Sequence, residues 1–193
     1  MVREGNPFWV WEAEIPGDYC EALIKRTKEG ALHDASIGGH IGIGAGGGVV
    51  DKNRRDTDIC WVDDRLDPVS LLMFNYALRA NINAEWFLDI SGIDSVQLSQ
   101  YKDGGFYEAH HDAGIGTENA FGVTRKLSVV LMLSEEDAYE GGDLVIKLNK
   151  DFVVPRKRGT IVVFPSPTFH TVTPVTKGER FTAVAWTLGK PWR

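Results

Sequence analysis

Three of the five histidines, His110, His111 and His170, fall in the second half of the chain, and Asp112 stands two residues after His110. On an extended strand residues i and i+2 point to the same face. His110 and Asp112 can therefore aim an imidazole and a carboxylate at one point, with His111 turned the other way. His170, on another strand, can supply a third ligand. Two histidines and one carboxylate on one face of a metal ion leave the remaining positions open, the arrangement of a non-haem Fe(II) centre that activates O2. An isolated His-x-Asp is common on surface strands, so the surrounding residues decide. Arg180 is a second candidate. A planar, permanently charged guanidinium suits a carboxylate, and buried in a β core it is costly without its anion. A surface charge beside the Lys177-Gly178-Glu179 turn is the plainer alternative.

The elements that must position these groups change character near residue 87. Pro16-Gly-Asp18 opens a first helix, with Asp18 and Glu21 as a capping box and Gly30 as its end; Cys20 lies on its apolar face. A strand is expected over 57–62. A second helix starts at Asp67 and Pro68 and runs to about Asn83, with Leu71, Leu72, Phe74, Ala77, Leu78 and Ile82 as its buried stripe. Beyond it the period is two. Strands are expected over 86–90, 95–101, 106–110, 127–134, 143–148, 160–164, 170–174 and 180–188, with turns at Asp103-Gly-Gly105, Glu140-Gly-Gly142, Pro165-Ser-Pro167 and Lys177-Gly178. The fold class is α+β, mainly β: packing helices over about 1–86, then an antiparallel sandwich or barrel over about 87–190, in a single domain spanning 1–193.

Composition narrows the function. The 193 residues carry 21 Lys+Arg and 27 Asp+Glu, a net charge of −6, with 43% hydrophobic side chains. That balance argues against a partner that is nucleic acid. The longest apolar run, Val129 to Leu133, is far short of a membrane span of about 20 residues. The first residues carry no signal core. Two cysteines, Cys20 and Cys60, make no disulfide framework, which points to a reducing, cytoplasmic setting.

The text around the candidate ligands is specific. It reads Tyr101-Lys-Asp-Gly-Gly-Phe-Tyr107-Glu-Ala-His110-His-Asp112, then Arg125-Lys-Leu-Ser-Val-Val-Leu-Met-Leu, Glu140-Gly-Gly-Asp-Leu, and Phe164-Pro-Ser-Pro-Thr-Phe-His170, followed by Arg180-Phe-Thr-Ala-Val-Ala-Trp186. Over about residues 95–190 this resembles the Fe(II)- and 2-oxoglutarate-dependent dioxygenases, in particular the prolyl 4-hydroxylase-like branch of PKHD-type hydroxylases. The resemblance implies a double-stranded β-helix (jelly-roll) core. It implies that His110, Asp112 and His170 ligate Fe(II), that Arg180 holds the distal carboxylate of 2-oxoglutarate, and that Tyr101 donates to the same cosubstrate. Thr182 and Trp186 alternate with Arg180 and should face that pocket. A tyrosine of animal-type relatives on the strand led by Arg125 is replaced by Met132, leaving more of that contact to Tyr101. The implied reaction couples oxidative decarboxylation of 2-oxoglutarate by O2, with ascorbate as helper reductant, to hydroxylation of a proline in a peptide or protein. Arg125, Arg55, Asp56, Trp61 and Tyr107 are the candidate substrate contacts. The rivals are an oxygenase acting on a free amino acid or other small molecule, and a jelly-roll binding protein without chemistry.

One motif is set aside. Gly42-Ile-Gly44-Ala-Gly46-Gly47 matches a dinucleotide fingerprint, but no helical face follows it. The glycine-rich stretch 38–48 is better taken as a loop that closes over substrate.

Overall fold

A computed structural model describes residues 6–37, 48–113 and 122–192. The glycine-rich loop expected over 38–48 lies, but for Gly48, outside the described residues. In chain order the elements are β1 (Trp9–Trp11), α1 (Gly17–Glu29), β2 (His33–Asp34), β3 (Arg55–Asp56), β4 (Asp58–Val62), α2 (Pro68–Asn83), β5 (Gly92–Ile93), β6 (Val96–Tyr101), β7 (Phe106–His110) and β8 (Thr124–Met132). They continue with β9 (Tyr139–Gly141), β10 (Leu144–Ile146), β11 (Phe152–Val153), β12 (Ile161–Pro165), β13 (His170–Val172), β14 (Val175–Gly178) and β15 (Arg180–Gly189).

Two antiparallel sheets face each other. The major sheet runs β1-β12-β8-β15-β6-β4-β2, with β5 on β15; the minor sheet runs β11-β10-β13-β7-β3; β14 and β9 form a separate two-stranded sheet. This is the jelly-roll core that the resemblance implied. Strand alternation divides the major sheet into two faces. Val130 and Met132 of β8 point inward, into a core shared with Leu144, Ile146 and Val172 of the minor sheet. Val129 and Leu131 point outward and pack with Cys20 and Leu23 of α1 and Val69, Met73, Ala77 and Ala80 of α2. Both faces of β8 and β15 are thus covered, which explains why these strands read as nearly continuous apolar runs.

Three local expectations are corrected. No capping box opens α1: its N-cap is Pro16, no side chain caps it, and the Asp18 carboxylate accepts from the adjacent Tyr19 N–H. The Asp67 cap and Pro68 start of α2 hold, with Asp67 accepting from Val69 N–H at 3.0 Å. Its buried stripe, however, is Val69, Met73, Tyr76, Ala77 and Ala80, while Leu71, Leu78 and Ile82 are exposed. Small side chains at 77 and 80 bring the helix close to the sheet; residue size along a helix, as well as apolarity, sets which face docks. Residues 86–90 form no strand. Glu85 and Phe87 adopt positive φ, and the Asn81 side chain takes both backbone groups of Leu88, at 2.9 and 3.0 Å. That side chain satisfies the backbone that a strand neighbour would otherwise pair. Among the described residues no helix is long and apolar enough to cross a membrane.

Candidate active site

His110 ends β7 and His170 begins β13, and the two are opposite one another in the minor sheet. Their ring centroids are 4.2 Å apart. Each Nδ1 meets a backbone carbonyl two residues earlier: Glu108 O at 2.7 Å from His110 and Thr168 O at 3.0 Å from His170. A carbonyl can only accept, so Nδ1 carries the proton and Nε2 presents a lone pair. This pinning fixes tautomer and ring orientation in the way metal-binding histidines require. Burial, reinforced by the adjacent His170 ring, pushes His110 down to about 4, which keeps its ring neutral near pH 7.

Asp112 completes the group, but not by strand alternation. β7 ends at His110, and the chain then turns, so that the N–H groups of Asp112 and Ala113 both donate to Ser166 O, at 2.9 and 3.1 Å. The Asp112 carboxylate lies 3.8 Å from His110 Nε2 through Oδ1 and 3.5 Å from His170 Nε2 through Oδ2. Burial raises its pKa, but His170, His110, Arg125 and a hydrogen bond from Ser128 outweigh that and hold it well below the usual carboxylate range. One ligand atom from each of the three residues lies within 4.8 Å of the others. Two imidazole Nε2 atoms and one ionised carboxylate, converging with their other atoms already bonded, fit a divalent iron ion. His111 takes no part; its ring packs edge-on against Phe169 at 5.2 Å.

Arg180 opens β15 opposite Tyr101 of β6 and is only 2% exposed, which removes the surface-charge alternative. Its guanidinium stands 5.0 Å from the centre of the Tyr101 ring, and Nη2 meets Met132 Sδ at 3.6 Å. Among the described residues Nε has no partner and no carboxylate pairs with the guanidinium. A buried cation with only a thioether and a ring beside it calls for an anion. Thr182 and Trp186 follow on the same face of β15 and are buried, as alternation predicts.

The residues expected at the substrate form two walls. Tyr107 stacks on His110, centroids 3.5 Å apart and planes 17° apart, and Arg55, opposite Tyr107 in register, holds its guanidinium 4.5 Å from the Tyr107 ring. Arg55 Nη1 also donates to Ser36 O. On the other wall Trp61 lies 6.3 Å from Trp186, and the Arg125 guanidinium sits 3.7 Å over the Trp186 ring. Arg125 Nη2 pairs with the buried Asp94 carboxylate at 3.3 Å, while Arg125 Nε and Trp186 Nε1 are buried without partners among the described residues. Asp56 is turned to a surface ion pair with Lys52 instead. Sequence reasoning missed Ser128, Ser166, Asp94 and Gly142. Both serines stand inside the runs that carry the resemblance, but nothing in those runs marks them as partners of a ligand, and Asp94 lies outside every motif. Gly142 lay in a segment read as a turn and as part of the resemblance, with no contact assigned to it, although a doubled glycine followed by a strand is a signal of close backbone approach.

A family model described as the 2OG-Fe(II) oxygenase superfamily matches residues 96–188, the stretch that contains the triad and Arg180. A PKHD-type hydroxylase of Shewanella oneidensis is 39% identical over 179 residues, 90% of this chain and 76% of the relative. One from Synechococcus sp. strain CC9605 is 33% identical over 153 residues, and there the match spans 65% of each chain, just under two thirds of the relative's length. Among solved structures, a Pseudomonas putida prolyl-4-hydroxylase superposes with a TM-score of 0.72 at 23% identity, covering 96% of this chain and 94% of that one.

Proposed function

The chain belongs to the PKHD-type hydroxylases of the 2OG-Fe(II) oxygenase superfamily, and from that premise we propose that it is a 2-oxoglutarate-dependent dioxygenase that hydroxylates a prolyl residue in a peptide or protein. One observation carries the enzymatic part. A pre-oriented His110–Asp112–His170 triad and a buried Arg180 without an anion lie along the same jelly-roll interior. A binding protein without chemistry has no use for both.

His110, Asp112 and His170 would hold Fe(II), and Arg180, backed by Tyr101 and lined by Thr182, would take the far carboxylate of 2-oxoglutarate. Bound iron and cosubstrate supply the O2 activation that places one oxygen atom on a C–H bond. The rest is positioning by this chain. The two pinned imidazoles keep their Nε2 atoms directed at one point, so no reorganisation is needed when the ion arrives. Tyr107, stacked on His110, and Trp186 with its Arg125 cover exclude water from the space beside the triad. The free Nε of Arg125 and Nε1 of Trp186 are donors left for a polar substrate. A prolyl peptide fits this site, because proline presents an apolar ring while its flanking backbone carbonyls accept hydrogen bonds.

The prolyl substrate is supported by the fold shared with prolyl hydroxylases, and the net charge of −6 supports a peptide over nucleic acid. Two buried free thiols, Cys20 and Cys60, support the cytoplasm as its place, and ascorbate is the reductant this reading assigns. The test is a succinate assay with Fe(II), 2-oxoglutarate, O2 and ascorbate against prolyl peptides and free amino acids. Succinate release stimulated by prolyl peptides is expected. Stimulation by a free amino acid alone would overturn the prolyl reading.

A further inference from the structure

Both Asp112 oxygens face the triad at similar range, Oδ1 3.8 Å from His110 Nε2 and Oδ2 3.5 Å from His170 Nε2. Such a carboxylate could grip a metal with both oxygens and take up a position that the open side needs. A second group prevents this. Ser128, at 0% exposure in the middle of β8, places its Oγ 2.7 Å from Asp112 Oδ2, and that Oγ is 3.1 Å from the Oγ of the equally buried Ser166. The direction of this chain is set by its end. An ionised carboxylate only accepts, so Ser128 gives its hydroxyl proton to Asp112, and Ser166 gives its own to Ser128. Ser166 also holds the Asp112 backbone through its carbonyl. Asp112 thus follows a minor-sheet strand, yet it is tied to β8 of the major sheet and to the turn that follows β12.

We propose that Ser128 is a positioning residue that limits Asp112 to coordination through Oδ1 alone and so keeps three positions of the metal open. This rests on the triad being a metal centre. Oδ2 carries a charge-assisted hydrogen bond in a dry setting, which removes the lone pair a two-oxygen grip would use. Without Ser128, Oδ2 is left buried and unpaired, and the bound ion is the strongest partner within reach. Phe164 and Trp186 stand opposite Ser128 across the sheet.

The test uses Mn(II) as the probe on the full chain. Water-proton relaxation counts the exchangeable waters on the bound ion, and thermal melting of the metal-free protein reports any purely structural effect. The native protein should bind Mn(II) with three waters, and His110→Ala should lose the ion. Ser128→Ala should melt within a few degrees of native without metal, yet bind Mn(II) with one water fewer, a drop of about a third in relaxation enhancement for the three open positions of a facial triad. Ser128→Thr restores the hydroxyl and should restore the third water. A Ser128→Ala protein that keeps three waters overturns the proposal and leaves the metal centre standing. A native protein that binds no Mn(II) overturns the metal centre itself.

Discussion

Gly142 and Arg180 are in such close contact that a Cβ on Gly142 would stand 2.9 Å from the arginine's Cδ and equally close to Val175 Cγ2. Gly142 also sits at φ +63°, where a side chain is strained. The glycine therefore makes the space in which the buried guanidinium lies. Gly142→Ala should displace Arg180 and raise the 2-oxoglutarate KM by about tenfold, the loss of roughly one charged hydrogen bond, while Mn(II) binding at the triad stays native. Gly141→Ala is the contrast. There a Cβ would meet the Pro174 carbonyl oxygen of the backbone, so the melting temperature should fall without a selective change in KM. Equal KM values in Gly142→Ala and native protein would detach the glycine from the cosubstrate.

Arg180 itself should show the larger effect. Arg180→Leu should keep the metal and raise the 2-oxoglutarate KM at least about tenfold, since a charged hydrogen bond contributes about 1.5–3 kcal/mol. Arg180→Lys should recover only part, because an ammonium cannot reproduce the two-pronged geometry. Cosubstrate titrations at fixed peptide check both, and full recovery by lysine would argue that Arg180 acts as a point charge.

Acid should weaken the metal-free fold through His110. An unfolded histidine titrates near 6.5, whereas burial pushes this one down to about 4. Between those values the unfolded chain binds more protons, so the contribution is fully present above pH 6.5 and declines as pH falls toward 4. Asp112, held low, adds a further loss only in the more acidic carboxylate range. Melting curves from pH 7 to pH 4.5 should show this decline, and His110→Gln should flatten it. A native protein as stable at pH 4.5 as at pH 7 would contradict it.

The pair Arg125–Asp94 packs beside Trp186 and should contribute to stability. Both side chains are largely buried, at 17% and 5% exposure. Arg125→Ala strands the carboxylate and should cost about 3 kcal/mol. Asp94→Asn in the same chain should return part of that, which a double-mutant cycle by denaturant unfolding measures. Additive effects would mean the two groups do not interact.

Much of the site was legible because its groups sit on short strands with distinctive neighbours. His110, His170, Tyr101, Arg180, Thr182 and Trp186 all lie where a period of two places them. Asp112 reached the same point for a different reason, since its strand had ended and backbone bonds to Ser166 turned it inward. Ser128, Ser166 and Asp94 could not be found from the sequence. Their role depends on which strands become neighbours, and β8 lies between β12 and β15, both of which come later in the chain. The α2 stripe failed for a related reason: Leu71, Leu78 and Ile82 looked the better core residues, but the sheet offered room for Ala77 and Ala80.

The most direct measurement is mass spectrometry of prolyl peptides after incubation with the protein, Fe(II), 2-oxoglutarate and isotopically heavy O2. One heavy oxygen atom is expected on a proline of the peptide and one in the succinate, both absent with His170→Ala or Asp112→Ala. Turnover of a free amino acid with no heavy oxygen on any proline-containing peptide would contradict the substrate assigned here. The absence of heavy oxygen from both succinate and substrate would contradict the oxygenase itself.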